Sequence, residues 1–283
     1  MITIFTIPKA FSGEIDGIQK NAIKSWTLLD FQAEMILFGD EEGTSEAATG
    51  YGAVRHQPGV KKSEFGTPLL DDVFKTAQKI AKNEILAYVN ADIILMDDFL
   101  KAVRQINFPK FLMIGRRWDI DLKEAINFNE NSWQQRLREK VSKEGRLHGW
   151  SGLDYFVFSR NLYQNIPSFA IGRFSFDNWL VHHIRERKLP VIDATEATMV
   201  VHQNHGYSQK KKNFFITEKR KNLGLAGGIL NMMSIRDADW VLDGKGVLKR
   251  PKFPRRIYPI LSLLYPWRLL LGLKRILQWH LTN

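Results

Sequence analysis

The sequence predicts an α/β protein with an open sheet flanked by helices, and three observations support this fold class. Residues 85–89 form an apolar, partly β-branched run that is typical of a buried central strand. That run ends abruptly in Asn90-Ala91-Asp92, and open α/β sheets bind their ligands at the carboxyl ends of such strands. A strand, a helix and a second strand also fit within the first forty residues, as at the start of such a sheet.

The composition is that of a folded globular protein. The chain has 283 residues, enough for one large domain or for a domain with an appendage. Its hydrophobic content of 44% and charged content of 25% are ordinary, and the absence of cysteine excludes disulfides and thiolate metal sites. Residues 1–8 lack a basic stretch followed by a long apolar core, so they predict a strand rather than a signal peptide. No apolar run is long enough to span a bilayer.

The N-terminal part of the chain predicts alternating strands and helices. Apolar residues at helical spacing between Ile15 and Trp26 predict the first helix, and Thr67-Pro68 supplies an N-cap and a first-turn proline for the next. The segment between 41 and 66 is rich in Gly, Ser and Thr, which predicts a loop with at most a short helix and strand. The expected elements are strands at 2–7, 33–38 and 85–89 and helices at 12–29 and 67–82.

The alternation continues beyond the central strand. The run Asp97-Asp98-Phe99-Leu100 after that strand has the pattern of a helix start. In the preceding helix, Asp71 and Asp72 favour the N-terminus because carboxylates complement the helix dipole. The other expected elements are strands at 110–115, 155–158, 190–193 and 198–201 and amphipathic helices at 127–141 and 177–187.

Asn90 and Asp92 form the first candidate site. Two residues apart in extended chain, their side chains project to the same side and can share one small target. Hard oxygen ligands suit Mg²⁺ or Mn²⁺, which in turn suits a diphosphate. The alternative is a strand end capped by polar turn residues.

The order of strand, Asn-x-Asp, apolar turn and Asp97-Asp98-Phe99-Leu100 helix start resembles the metal-binding segment of GT-A glycosyltransferases. The resemblance extends over about residues 1 to 205, and its motifs are short and degenerate. In that family an Asp-x-Asp motif holds a divalent cation against the diphosphate of a nucleotide sugar; here Asn90 replaces the first Asp. The resemblance implies a GT-A mixed sheet, a Mn or Mg ion at Asp92, and a set of residues that contact the donor nucleotide. That set is Thr6, Pro8, Asp40, Asn90 and Asp92.

The resemblance also implies roles for residues after the metal segment. Gly152 and Asp154, in the turn before the strand at 155–158, correspond to donor-sugar and acceptor contacts, although a self-capping turn is the alternative. Asp177 corresponds to a general base that takes a proton from the acceptor hydroxyl, against the alternative of a helix N-cap. Asn178 departs from the acidic pair of inverting family members, so the assignment of the base stays open. His202 is the first choice for a further metal ligand and His205 the second, and imidazole ligands argue mildly for Mn²⁺.

Three segments are expected in the chain: a catalytic domain at 1–206, a basic lid or acceptor-side region at 207–243 and a tail at 244–283. The tail carries nine Lys or Arg and no Asp or Glu, so of the net charge of +11 only +2 belongs to the remainder. Its mixture of Trp, Tyr, Leu and basic residues, broken by prolines, predicts a basic amphipathic helical extension in an anionic membrane interface. A helix packed on the domain or a dimer contact is the alternative. Basic and aromatic residues also mix around Phe214 and Phe215, but no nucleic-acid motif accompanies them, so no nucleic-acid partner is expected.

The sequence therefore predicts a metal-dependent glycosyltransferase of GT-A fold, peripheral on the cytoplasmic face of a membrane. It would move a sugar from a nucleotide-diphosphate donor to a hydroxyl of a glycan or lipid-linked acceptor, with inversion, in surface polysaccharide assembly. A sugar-1-phosphate nucleotidyltransferase is discounted because residues 7–13 carry one glycine and no glycine-rich loop with Arg and Lys. A non-catalytic membrane-associated module on the same fold is the remaining alternative, and Asn90 is its best support.

Overall fold

A nine-stranded mixed sheet runs through the protein. The computed structural model describes residues 1–30, 33–52, 54–122, 126–206 and 212–249, which belong to one compact unit. Its strands are β1 (Ile2–Thr6), β2 (Glu34–Phe38), β3 (Val54–Gln57), β4 (Ile85–Val89), β6 (Leu112–Ile114), β9 (Tyr155–Ser159), β10 (Val191–Asp193), β12 (Trp240–Asp243) and β13 (Gly246–Lys249). They are arranged in the order β13-β12-β10-β6-β9-β4-β1-β2-β3, and every strand runs in one direction except β9 and β13.

Helices cover both faces of this sheet. They are α1 (Gly13–Thr27), α2 (Thr44–Gly50), α3 (Leu70–Ile80), α4 (Asp97–Arg104), α5 (Trp133–Glu144), α6 (Phe176–Glu186) and α7 (Lys212–Leu225). Along β4, alternate side chains point to opposite faces: Leu86 and Tyr88 pack with α3 and α6, whereas Ala87 and Val89 pack with α1 and α4. The sheet is therefore the middle of three layers, and the predicted mixed α/β sheet flanked by helices is confirmed.

A second, four-stranded sheet lies where β4 ends. Its order is β5-β11-β7-β8, with β5 (Ile93–Ile94), β11 (Val201–Gln203), β7 (Trp118–Ile120) and β8 (Arg146–Leu147). It packs on α5 through a small core of its own, which includes Trp133, Leu137 and Val141. Because β5 begins directly after Asp92, this small sheet brings residues from β7 and β11 to the end of the central strand.

Several element boundaries differ from the sequence-based expectation. The helix expected from Thr67 begins at Leu70, because Pro68 pairs with Lys62 in an isolated β-bridge instead of opening the helix. The helix expected from 127 begins at Trp133, after a turn in which Asn127 bonds Glu130. The strand expected at 198–201 forms at 201–203, where pairing with β5 and β7 fixes its register. The expected helix and strand between 41 and 66 are α2 and β3.

The described C-terminal part continues the main sheet. After α7 and two short 3-10 turns, β12 pairs in parallel with β10 and β13 closes a hairpin at the sheet edge. The boundary expected between 243 and 244 falls in the turn of this hairpin. The rest of the expected tail, 250–283, and residues 207–211 of the expected lid lie outside the described residues. Within the described part of the chain, no helix combines the length and the apolar character needed to cross a membrane.

Candidate active site

Asp92, His202 and His205 come together at the carboxyl end of β4. Asp92 Oδ2 lies 3.2 Å from His205 Nε2 and 3.6 Å from His202 Nε2. One potential ligand atom from each residue lies within 4.8 Å of the other two. One carboxylate and two imidazoles facing a common point are a ligand set that suits Mn²⁺.

Backbone pairing in the small sheet explains how these distant residues meet. Antiparallel pairing places His202 opposite Ile93, one residue after Asp92. The backbone N–H and side-chain amide of Gln203 both donate to the Asp92 carbonyl at 3.2 Å, which fixes the turn between β4 and β5. The cluster is thus held by hydrogen bonds that do not involve its own ligand atoms.

The electrostatics of Asp92 favour its charged form. Burial alone would raise the pKa of its carboxyl, but the neighbouring imidazoles of His202 and His205 outweigh burial and lower that pKa. The hydrogen bond between Asp92 and His205 raises the pKa of His205. Asp92 Oδ1 is buried and makes no hydrogen bond among the described residues. A buried carboxylate oxygen without a partner is costly, and a divalent cation would satisfy it, so these residues fit the ion that the resemblance implies.

Asp119 on β7 backs the cluster, and sequence reasoning missed it. In the parallel pairing of β7 with β11 it lies directly opposite His202, and its Oδ1 is 3.1 Å from His202 Nδ1. The two atoms are close but are not aligned as a hydrogen bond. The other oxygen, Oδ2, is 2.6 Å from His148 Nδ1. Metal-binding histidines commonly place their second nitrogen beside a carboxylate, and His202 Nδ1 has this position relative to Asp119.

Arg117 and Asp154 link β7 of the small sheet to the start of β9 in the main sheet. The Arg117 guanidinium pairs with Asp119 at 2.8 Å and with Asp154, and only 12% of its side chain is exposed. The second Asp154 oxygen accepts a hydrogen bond from Asn90 Nδ2 at 2.8 Å. The expected contact of Asp154 with sugar or acceptor stays a prediction; in the structure its carboxylate, 8% exposed, is engaged by Asn90 and Arg117. It is therefore placed to position Asn90.

Asp177 lies at the first turn of α6. The N-cap residue of this helix, Ser175, lies in the left-handed region at φ 91°, a strained conformation for a residue other than glycine. The Asp177 carboxylate accepts a hydrogen bond from the Asn178 backbone N–H at 2.9 Å. Burial, with a smaller contribution from the negative charge of Asp154, raises the pKa of Asp177 to about 7. A carboxyl with such a pKa can exchange a proton near neutral pH.

The remaining predicted residues lie near the ends of the parallel strands. Thr6 ends β1, and its Oγ1 is buried with no hydrogen bond among the described residues. Pro8 is buried just beyond it, and Asp40 follows β2 with its carboxylate accepting a hydrogen bond from the Gly59 N–H at 2.9 Å. A Cβ at Gly152 would lie 2.3 Å from the His148 ring, so this glycine is needed to make room for His148. Nucleotide and sugar contacts of all four stay predictions.

Comparison with known proteins identifies the fold. No protein-family model matches the sequence, and no curated protein matches it significantly. The crystal structure of TarS 1-349 from S. aureus in complex with UDP-GlcNAc has a TM-score of 0.52 at 14% identity, covering 82% of this chain and 67% of that one. This likeness confirms the GT-A-type fold.

Two further solved structures are more distant. The mannosyltransferase PcManGT from Pyrobaculum calidifontis, in complex with GDP-Man and Mn²⁺, has a TM-score of 0.47 at 14% identity and covers 78% of this chain. This chain spans 61% of that protein's length. Glucosyl-3-phosphoglycerate synthase from M. tuberculosis has a TM-score of 0.47 at 14% identity, covering 81% of each chain.

Proposed function

We propose that this protein is a metal-dependent glycosyltransferase that uses a nucleotide-diphosphate sugar as donor. The observation that carries the proposal is the cluster of Asp92, His202 and His205, with a buried Asp92 oxygen that has no hydrogen-bond partner among the described residues. The cluster lies at the carboxyl end of the central strand, where α/β sheets bind ligands. TarS, whose fold this chain shares, was crystallised with UDP-GlcNAc, which supports a nucleotide sugar as donor.

Asp92, His202 and His205 would hold a Mn²⁺ or Mg²⁺ ion, and the ion would act as a Lewis acid toward the leaving diphosphate. Asp119 would orient His202, and Asp154 would orient Asn90 beside the donor. Thr6, Pro8 and Asp40 lie at the ends of β1 and β2, along the same sheet edge, and would contact the nucleotide. Gly152 shapes the adjacent turn by admitting the His148 ring.

Asp177 is proposed as the general base. An acceptor hydroxyl would give its proton to the Asp177 carboxylate as its oxygen bonds to the anomeric carbon of the donor sugar. The bond from that carbon to the diphosphate breaks, and the diphosphate leaves with the electron pair. Attack from the face opposite the leaving group inverts the anomeric configuration. The raised pKa of Asp177 supports this role, because a base of pKa about 7 both accepts and releases a proton readily.

The acceptor is proposed to be a glycan or lipid-linked hydroxyl, as in surface polysaccharide assembly. The basic sequence after residue 243, with nine Lys or Arg and no acid, supports peripheral attachment to an anionic membrane on its cytoplasmic face. Such attachment would keep the enzyme beside a lipid-linked substrate.

Calorimetric titration tests the donor site. UDP and GDP are titrated into the protein with Mn²⁺ and then with EDTA, beside Asp92→Ala and the matched control Asp121→Ala, which removes an exposed carboxylate bonded to Asn204. We expect binding of one nucleotide that requires both Mn²⁺ and Asp92 and that is unchanged in Asp121→Ala. No metal-dependent binding of any nucleoside diphosphate would contradict the proposal.

A second measurement tests catalysis. The bound nucleotide identifies the donor series, and release of nucleoside diphosphate from those sugars is then followed by chromatography. We expect release by the wild-type protein and at least a hundredfold less from Asp177→Asn, which keeps the side-chain shape but cannot take a proton. Equal release by the two proteins would remove Asp177 from the mechanism.

A further inference from the structure

The first turns of α7 and the loop before α6 carry a patch of large apolar side chains that are exposed to water. Four residues define this apolar patch: Phe174, Phe214, Phe215 and Ile216, which are 45%, 44%, 42% and 47% exposed. Phe214 stacks on Phe65 with ring centroids 4.8 Å apart, which extends the patch onto the neighbouring loop. Scattered exposed apolar residues are normal in soluble proteins, but a contiguous cluster marks an interaction surface.

Buried polar contacts fix the rotation of α7 about its axis. Glu218 is buried and accepts hydrogen bonds from Ser63 at 2.6 Å and Thr67 at 2.9 Å, and it pairs with Arg173 at 2.7 Å. One turn later, the buried Asn222 side chain bonds both the N–H and the carbonyl of Ala170 at 2.9 Å. Rotating the helix to bury Phe215 and Ile216 would break these contacts, so these two side chains stay on the surface.

Positive charge surrounds the patch. Lys219 lies 5.1 Å from the Phe174 ring and Arg173 lies 5.0 Å from the Phe215 ring, while Arg220 and Lys221 are exposed on the following turn. Among the residues that the structure describes, two acidic side chains pair with these cations: Glu218, which is buried and paired with Arg173, and Glu64, which lies 3.5 Å from Lys221. The accessible rim is therefore basic.

Charge decides what can cover this surface. A second copy of the patch would bring like charges together, and the sequence after residue 243 is itself basic with no acid. The partner must instead be anionic and able to accept several apolar rings at once. A bilayer containing anionic lipids has both properties, since aromatic rings insert at the headgroup level while Lys and Arg contact the phosphates.

We propose that the apolar patch of α7 and its basic rim form a docking surface for an anionic lipid bilayer. This inference deepens the membrane contact proposed above, and it places part of that contact on α7 within the folded unit. The segment that α7 contacts through Ala170 and Arg173 leads directly into Ser175 and the start of α6, where Asp177 lies. Docking through α7 would hold the acceptor side of the site next to the membrane surface.

Vesicle sedimentation of the full chain tests the proposal. Binding is measured to phosphatidylcholine vesicles with and without phosphatidylglycerol, for the wild type, for the double variant Phe214→Ser/Phe215→Ser and for the triple variant Lys219→Gln/Arg220→Gln/Lys221→Gln. The control is Leu248→Ser, which removes a 54% exposed leucine from the sheet edge. Circular dichroism and the nucleotide titration are run on each variant to check folding.

We expect wild-type binding only to vesicles with phosphatidylglycerol. The double variant should bind about tenfold or more weakly, because it lacks the two aromatic rings whose transfer from water into the bilayer favours binding. The triple variant should lose about fivefold for each charge, and Leu248→Ser should bind like the wild type.

Three results would overturn the proposal: no vesicle binding by the wild type, wild-type binding by a folded double variant, or binding of single-stranded RNA in place of vesicles with loss in the same variants. These results are separable from failure of the proposed function. A protein that binds vesicles through α7 but binds no nucleoside diphosphate would retain this inference and lose the transferase.

Discussion

Removing the Asp119 carboxylate should weaken metal binding although Asp119 is not itself expected to contact the ion. In Asp119→Ala, His202 Nδ1 loses the carboxylate oxygen 3.1 Å away, so the ring is no longer held with Nε2 toward Asp92. Loss of such a supporting carboxylate typically lowers metal affinity by about 10- to 100-fold. Because the His202 contact is not aligned as a hydrogen bond, we expect the lower end, about tenfold or ~1.4 kcal/mol.

The assay is Mn²⁺ binding followed by electron paramagnetic resonance, which counts free ion without relying on turnover. Asp119→Asn should lose less affinity than Asp119→Ala, since one amide oxygen can still face an imidazole. His148→Ala is the matched control: it removes the other histidine that Asp119 contacts, at 2.6 Å, and leaves His202 in place, so Mn²⁺ affinity should change little.

Wild-type Mn²⁺ affinity in a folded Asp119→Ala variant would refute the reasoning. An equal loss in Asp119→Ala and His148→Ala would also refute it, because the effect would then come from general loosening of the small sheet. Thermal unfolding of each variant measures that loosening. It is needed because Asp119→Ala, unlike His148→Ala, also takes one of two carboxylates from the paired and largely buried Arg117.

Three further predictions concern Asp177 and Glu218. Because the pKa of Asp177 is raised to about 7, kcat/KM for transfer should rise with pH through a midpoint near 7, and a pH–rate profile without that limb would contradict its role as base. The same raised pKa means that between about pH 4 and pH 7 the native state retains a proton that the unfolded chain has lost, so the contribution of Asp177 to stability falls as pH rises through this range. Asp177→Asn should therefore unfold at a higher urea concentration than the wild type at pH 8, and at a similar concentration at pH 4. Glu218→Ala should destabilise the fold by about 3 kcal/mol, because it leaves Arg173 without its carboxylate and Ser63 and Thr67 without their acceptor. Urea denaturation measures this loss. As a control, Glu139→Ala at an exposed position of α5 should change stability by less than about 0.5 kcal/mol.

The parts of the site that could be predicted are those carried by local sequence. The apolar run of β4, its polar end at Asn90 and Asp92, and the helix start that follows are adjacent in the chain, and the structure has all of them. His202 and His205 were expected from their position after a late strand, and the structure brings both to Asp92. Their binding of a metal stays a prediction.

The parts that could not be predicted depend on pairing between distant strands. Asp119 lies opposite His202 only because β7 pairs with β11, and three-residue strands carry too little periodicity to reveal that partner. Arg117 lies between β6 and β7, and its pairing with Asp119 and Asp154 depends on the same tertiary register. The early start predicted for α5 failed because side-chain bonding of Asn127 to Glu130 competes with a helix turn.

The small sheet that assembles the cluster has a consequence for stability. Asp92 and His205 are 113 positions apart in sequence, and the core beneath β5, β7 and β11 is separate from the two large ones. An ion held by both residues would bind the native chain and not the unfolded one, so it would act as a reversible cross-link over that long loop. The concentration of the ion would then set how often the small sheet unfolds locally. Protease resistance near β7 and β11 would therefore report occupancy of the site.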